Sequence, residues 1–292
     1  MAHGIDHLVL AVRDLDAAGA HYQALGFRVG ARNRHPWGTE NRIVQLPGTF
    51  LELITIGGQG ITDVAWADRS RFASFSQGYL DRHGDGFAML VLESDDASTD
   101  QAAFDAAGIG GFEPFFFERF GRKSDGNPVR VAFTLAFAAD KAMPDVGCFV
   151  SQQHELQNFW DPDFQAHPNG ATRLGGVVLL AARPAATVPF FEAFTGARAA
   201  CAGARNMAIV TPRGSVEAMT PECYRDVLGL EGSLSLADGP RLAAFKVSAP
   251  LEAMAERLDG AAIAYVRHRK HLAVPPTDNF GTALVFEEPK TA

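Results

Sequence analysis

The sequence lacks several features that would place it in a functional class at once. It has three cysteines, Cys148, Cys201 and Cys223, and no C-x-x-C spacing, so it cannot build a disulfide framework. This cysteine usage predicts a reduced, cytoplasmic enzyme or binding protein. No apolar run reaches the roughly 18 residues that a transmembrane helix needs. Residues 1–20 also lack the basic and apolar regions of a signal peptide, so we expect no membrane association.

The sequence also has no excess of basic charge and no nucleotide-binding motif. Its formal net charge of −8 argues against nucleic acid or an anionic membrane as a partner. It contains no G-x-S-x-G elbow, no G-x-G-x-x-G after a strand and no Walker-type loop. We therefore expect neither acyl transfer nor a nucleotide cofactor. The hydrophobic fraction of 47% and the charged fraction of 21% are typical of an ordinary globular protein.

The sequence does contain a segment that occurs four times, with weaker similarity in the later copies. The first copy reads GIDHLVLAV (4–12), DLDAAGAHYQALG (14–26) and NRIVQLPGTFLELI (41–54). β-Branched and aliphatic runs predict strands, and Asp14 is a suitable N-cap for the intervening helix. The Pro47-Gly48 turn separates the last two strands. The pattern is βαβββ, and similar patterns begin near residues 84, 174 and 240.

This repeat predicts an α+β protein in which four βαβββ modules form two domains. The first domain is expected over residues 1–155 and the second, more degenerate one over 174–292. Residues 156–173 are predicted to link them, and residues 63–82 to form an additional helix.

At this point the chain resembles the vicinal-oxygen-chelate superfamily, which includes glyoxalases, bleomycin-resistance proteins and extradiol dioxygenases. The resemblance is carried by HGIDHLVLAVRDLDAA, HPWGTENRIVQLPGTFLELI and QQHELQNFWDPDFQAHPNGA, and it is strongest over residues 1–57 and 147–172. It implies a glyoxalase-like fold in which two modules close around a cavity. It says little about function, because one scaffold hosts isomerases, dioxygenases, hydrolases and binding proteins.

The resemblance also implies metal-ligand positions. In metal-dependent members the first strand of a module supplies a His and the last supplies a Glu, and His7 and Glu52 occupy those positions. Imidazole and carboxylate suit one divalent metal ion, which can activate a carbonyl compound. Two ligands are too few for a tight site, so we expect His154 to be the third ligand or a general base. His83 is a weaker candidate.

The other three copies do not complete this set. In a simple alignment the residues matching His7 are Phe87, Val177 and about Ala243, and those matching Glu52 are Ser151, Ala218 and Val285. An extradiol dioxygenase would place its two-His-one-carboxylate iron site in the second half. That half offers His268 and His271, inside a basic run, so this activity is disfavoured.

Several polar and aromatic residues are candidates for substrate binding, although each also has a structural interpretation. Asn41 and Arg42 follow the Pro36-Trp37-Gly38 turn, and Arg can grip a carboxylate with two hydrogen bonds. Polar groups after a buried strand need partners, which a ligand or a neighbouring loop can supply. Gln152 and Gln153 are further polar candidates, and Trp160 is a candidate for the aromatic wall of a pocket. Basic residues Arg119, Arg122, Lys123 and Arg130 are either solvated or attract an anionic substrate.

Two functions are consistent with these observations. One is a metal-dependent lyase or isomerase that acts on a small oxygenated metabolite in a cavity of the N-terminal domain. The alternative is a metal-free protein that binds and sequesters a small molecule, as bleomycin-resistance proteins do. The expected partner is a small-molecule ligand in both cases. Homodimerisation and the pairing of the modules are left open by the sequence.

Overall fold

The structure is a computed structural model that describes residues 2–58 and 72–289. No helix in those two segments is both long and apolar enough to cross a membrane. The strands and helices alternate in four βαβββ modules, as the repeat predicts.

Two modules build the first half of the chain. The first consists of β1 (Ile5–Ala11), α1 (Leu15–Ala24), β2 (Asn33–Arg34), β3 (Thr39–Leu46) and β4 (Thr49–Ile56). Helix α2 (Phe72–His83) follows and overlaps the helix expected over 63–82, while residues 63–71 lie outside the described residues. The second module consists of β5 (Gly86–Glu93), α3 (Ala97–Ala106), β6 (Phe115–Arg122), β7 (Pro128–Ala138) and β8 (Gly147–Gln153).

The segment predicted as a linker contains two short helices, α4 (Leu156–Phe159) and α5 (Pro162–Gln165). The third module then consists of β9 (Arg173–Leu180), α6 (Val188–Thr195), β10 (Ala199–Ala202), β11 (Asn206–Val210) and β12 (Ser215–Met219). After α7 (Pro221–Leu228), the fourth consists of β13 (Arg241–Ser248), α8 (Leu251–Gly260), β14 (Val266–His268), β15 (His271–Val274) and β16 (Ala283–Glu287). The domain limits at 155 and 174 stay a prediction.

Consecutive modules share a sheet, so the first module pairs with the second and the third pairs with the fourth. The first eight-stranded sheet has the order β2-β3-β4-β1-β5-β8-β7-β6, and the second has the order β10-β11-β12-β9-β13-β16-β15-β14. In the first, β1 lies parallel to β4 and antiparallel to β5. The α+β architecture of four βαβββ modules in two sheets is thereby confirmed.

Strand alternation divides each sheet into two faces. Leu8 and Leu10 of the first sheet, and Val177 and Leu179 of the second, belong to one continuous buried core that also contains helix residues of both halves. Phe87 and Phe245 meet edge to face across this core, with ring centroids 6.2 Å apart. The two halves therefore stabilise each other through apolar burial.

The opposite faces of the two sheets differ from each other. In the second sheet this face is covered by α7 and the residues that follow it. Tyr224, Leu228 and Leu230 pack there in one buried cluster with Val178 and Val285 of the sheet. In the first sheet the corresponding face carries a cavity lined by aromatic side chains. The site-bearing cavity thus lies in the first half of the chain.

Strand pairing also corrects the sequence alignment of the modules. Glu52 pairs with Val9, and Glu217 pairs with Val178 in the same parallel arrangement. Ala218, the residue matched to Glu52 by sequence, lies instead in the core between the sheets. In the third module the match to Glu52 was therefore wrong by one residue, and a one-residue slip moves a side chain to the other face of a sheet.

Candidate functional site

The cavity on the concave face of the first sheet is small and mostly apolar. Its volume is about 40 Å³, enough for roughly three water-sized groups. Aromatic side chains from four strands, from α2 and α4 and from the turn between β2 and β3 form most of the wall: Trp37, Phe50, Phe72, Phe117, Phe133, Phe149 and Phe159. The polar lining residues are His7, His35, Asn41, Glu52, Arg119 and Ser151. Two of these, His7 and Glu52, are the metal ligands that the sequence predicts.

His7 on β1 is held in one orientation by its neighbours. Its ring stacks on Phe50 with centroids 4.2 Å apart, and Nδ1 donates to the Asp6 carboxylate at 2.7 Å. Asp6 is fixed in turn by Gln153, whose amide donates to its other oxygen at 2.7 Å. In the neutral ring this arrangement leaves the lone pair on Nε2. That atom lies 3.9 Å from a carboxylate oxygen of Glu52.

Glu52 on β4 is buried and is the carboxylate of the cavity. Asn41 on β3 donates to its Oε1 at 2.5 Å, and the Asn41 amide is oriented by a bond from Asn33 to Oδ1 at 3.2 Å. Asn41 therefore lies in the cavity, as predicted, but its amide nitrogen is engaged with Glu52. Asn41 thus orients the Glu52 carboxylate within the cavity.

His35 is the residue of this cavity that the sequence analysis did not identify. It lies at the turn between β2 and β3, stacked on Trp37 with centroids 4.7 Å apart. The Asn41 amide lies 3.4 Å from its Nε2, and because that amide can only donate, Nδ1 carries the proton and donates to Thr39 Oγ1 at 2.8 Å. Its Nε2 is 3.7 Å from Glu52 Oε1. Both imidazoles thus point Nε2 toward the same carboxylate.

The charge state of His35 follows from its surroundings. Burial lowers the pKa of its ring to about 3, with smaller electrostatic contributions from Arg119 and His7. Removal of the ring from water disfavours the charged form. His35 is therefore neutral at physiological pH, which is the form that binds metals.

Alternation along β8 explains why two predicted residues do not reach the cavity. Ser151 points into the cavity, so Gln152 points to the other face. Gln152 accepts from the Ala97 amide and donates to the Asp95 carbonyl at the start of α3. His154 is exposed and bonds Thr134 Oγ1 through Nε2 at 2.8 Å. The structure does not bring His154 together with His7 and Glu52.

Three other candidates also lie outside the cavity lining. Arg42 is ion-paired with Asp16 at 2.8 Å, on the helix-covered side of β3. Trp160 is half-buried and packs edge-on against Phe159, with centroids 4.9 Å apart. His83 faces Asp145 at 2.9 Å and lies 3.1 Å from Arg241 Nη1 of the second half of the chain. Each of them is accounted for by a structural contact.

His7, His35 and Glu52 supply the donor types that a divalent metal prefers. Ligands about 2.0–2.2 Å from one ion stand roughly 3.0–3.5 Å apart, so the observed separations of 3.7 and 3.9 Å require a contraction of roughly half an ångström. As they stand, the described residues contain no group of three or more His, Cys, Asp or Glu side chains close enough to hold a metal. The residues fit a metal by chemistry and orientation.

The fold and the cavity define a class of protein. Four βαβββ modules that pair into two sheets, with a polar group at the base of one concave face, are the arrangement of glyoxalase-like proteins. A comparison with family models matches residues 5–195 to the glyoxalase-like domain. The match covers more than half of the chain, so the chain belongs to the glyoxalase-like domain family. Curated proteins give no match.

Solved structures with the same fold are distant in sequence. A hypothetical protein from Staphylococcus aureus is 11% identical with a TM-score of 0.69, and the match covers 98% of this chain and 100% of that one. The Mn(II)-bound glyoxalase from Novosphingobium aromaticivorans is 12% identical with a TM-score of 0.58, covering 98% and 82%. A mutant of 4-hydroxymandelate synthase from Streptomyces coelicolor is 13% identical with a TM-score of 0.57, covering 100% and 94%. At these identities the likeness extends to the fold alone.

Proposed function

We propose that this protein is a metal-dependent enzyme, of lyase or isomerase type, that acts on a small oxygenated metabolite. The observation that carries the proposal is the convergence of two imidazole Nε2 atoms on one buried carboxylate in an aromatic cavity. His7, His35 and Glu52 would hold one divalent ion. His35 takes the place in this set that the sequence gave to His154. The Mn(II)-bound glyoxalase of the same fold supports the choice of metal chemistry.

The surrounding residues have defined roles in this proposal. Asp6 and Thr39 fix the two rings, so that Nε2 of each faces inward. Such partners of the ligands commonly raise metal affinity 10- to 100-fold. A divalent ion at this position would polarise a substrate oxygen and acidify a neighbouring C–H group. Ser151 and Arg119, at the same cavity, would orient substrate oxygens, and the aromatic wall would exclude water.

Metal content after loading tests this proposal. The protein is incubated with Mn²⁺, Zn²⁺, Ni²⁺, Co²⁺ or anaerobic Fe²⁺, dialysed and analysed by mass spectrometry. The wild type is expected to retain about one ion per chain, and Glu52→Gln should lose it. Glu118→Gln is the matched control, because Glu118 is exposed on β6 and pairs with Arg130. Retention of none of these metals would favour the alternative of a metal-free binding protein.

A further inference from the structure

Arg119 is the arginine in the lining of the candidate site. On β6 it follows Phe115 and Phe117 at alternate positions, so it projects to the same side as these two buried rings. Burial lowers the pKa of its guanidinium. Within the described residues, Arg119 forms one hydrogen bond, from Nη1 to Asn33 Oδ1 at 3.4 Å, and its Nε has no hydrogen-bond partner. Among the described residues, no carboxylate forms an ion pair with it at 4.0 Å or less.

A guanidinium with unused donors is poorly satisfied where it is partly shielded from water. It offers five N–H groups in a planar fork, and a carboxylate matches two of them at once. The nearby carboxylate of Glu52 is already bonded to Asn41, and in the proposed function it also binds the metal. Arg119 therefore has donors available for an incoming anion.

Arg119 also lies where two spaces meet. A groove of about 680 Å³ opens outside the small cavity, and the two share Ile43, Arg119 and Phe159 in their walls. The groove is large enough for an organic molecule, whereas the cavity accommodates only a few atoms. A ligand in the groove would thus lie beside Arg119, next to the cavity.

The charge of the groove favours an anion. Its wall contains five basic residues and one acidic residue, in a chain whose net charge is −8. Arg32 and Arg34 share the Glu40 carboxylate, so their charge is partly compensated. Arg122 and Lys123 bond only neutral carbonyl groups, of Gly126 and Gln157, among the contacts of the described residues. This excess of positive charge would attract a negatively charged ligand.

We propose that the substrate or ligand is a small organic acid with an apolar, ring-sized body, and that Arg119 binds its carboxylate at the junction of groove and cavity. This inference rests on the proposed function, since it takes Glu52 to be committed to the metal. The ring of the acid would lie along Phe159 and Ile43, and the atoms next to the carboxylate would face His7, His35 and Glu52. Arg119 is then the residue that determines specificity for acids.

Binding of an acid and of its neutral amide tests the inference. Phenylacetate and phenylacetamide differ in charge and hardly in shape, and calorimetric titration measures both against Mn²⁺-loaded and metal-free protein. Wild-type protein is expected to bind the acid at least about tenfold more tightly than the amide, as a charge-assisted bidentate pair would give. Arg119→Gln should bring this ratio to about one. Arg119→Lys should keep part of the preference, because the charge stays and the fork is lost.

Arg130→Gln is the matched control. It removes one positive charge from the neighbouring strand β7, at an exposed residue that pairs with Glu118 and Glu155 and does not line the groove. It should leave most of the preference intact. Persistence of the preference in Arg119→Gln, or an equal affinity of the wild type for acid and amide, would overturn the inference. Thermal unfolding of each variant verifies that it is folded.

The same experiment separates this inference from the proposed function. If the wild type retains a metal ion but shows no preference for the acid, the assignment of Arg119 fails and the metal site stands. If the Arg119-dependent preference appears in a protein that retains no metal, the acid site stands and the metal-dependent function fails.

Discussion

The Nε2 atom of His7 lies 3.9 Å from Oε2 of Glu52, although the two residues are 45 positions apart in the sequence. The parallel pairing of β1 with β4 creates this proximity, because it sets His7 opposite Phe50 and Val9 opposite Glu52. Side chains of alternate residues then share one face of the sheet. The proximity of His7 and Glu52 thus follows from the strand pairing within the first module. The turn between β2 and β3 places His35 beside them as the third donor.

We predict that Asp6→Asn weakens metal binding without abolishing it. The carboxylate of Asp6 holds the His7 ring through Nδ1, and loss of such a partner typically costs 10- to 100-fold in metal affinity. A Mn²⁺ titration followed by electron paramagnetic resonance measures the change. Asp16→Asn is the control, since Asp16 pairs with Arg32 and Arg42 on the surface. Unchanged affinity in Asp6→Asn would contradict the role of Asp6 in positioning His7.

We predict that stability of the metal-free protein falls as the pH drops below about 6.5, and that His35 contributes to this fall. Its pKa is about 3 when folded and near 6.5 when unfolded, so the unfolded chain binds the proton more readily. The stabilisation is complete above the unfolded value and is lost progressively between pH 6.5 and 3. At pH 5 the loss attributable to His35 is about 2 kcal/mol.

Urea unfolding of wild type and His35→Gln at pH 7 and pH 5 measures this contribution. The difference in unfolding free energy between the two pH values should be smaller in the variant. Burial also lowers the pKa of His21, His167 and His271, so part of the pH dependence will persist. His154→Gln serves as the control at an exposed position. An identical pH dependence in wild type and His35→Gln would show that His35 is not a buried neutral histidine.

We predict that Phe245→Ala destabilises the whole protein by about 3–5 kcal/mol. The Phe245 side chain is fully buried and contacts Phe87 of the first sheet, so its loss opens a void in the shared core. Phe120→Ala is the matched control, because Phe120 is 74% exposed and its loss should change stability by less than about 0.5 kcal/mol. Separate unfolding of the two halves, or a loss below about 1 kcal/mol in Phe245→Ala, would contradict a shared core.

The repeat made the fold predictable from the sequence. Periodicity, caps such as Asp14 and turns such as Pro47-Gly48 locate most strands and helices of the four modules. Asp14 indeed accepts hydrogen bonds from the amides of Asp16 and Ala17. Each of these signals is local, because capping hydrogen bonds and hydrophobic alternation within a short segment determine where a helix or strand forms.

The candidate site was less predictable, because it depends on long-range register. His154 and Ser151 are three positions apart, so on an alternating strand they face opposite sides. His35 lies outside the regular strands, and the Pro36-Trp37-Gly38 turn brings its ring over Glu52. No strand periodicity marks His35, so its place beside Glu52 became visible only with the pairing of β2 and β3, which sets Asn33 opposite Asn41. Arg119 was recognised as basic, while its position between groove and cavity required the structure.

The most direct test of the central claim is electron spin-echo spectroscopy of the Mn²⁺-loaded protein, which detects imidazole nitrogens bound to the ion. The account predicts two histidine nitrogens in the wild type and one in either His7→Ala or His35→Ala, with Mn²⁺ bound more weakly in both variants. His154→Ala should keep both nitrogens. A wild-type spectrum without histidine coupling, or loss of a nitrogen in His154→Ala but not in His35→Ala, would contradict the assignment of His7, His35 and Glu52.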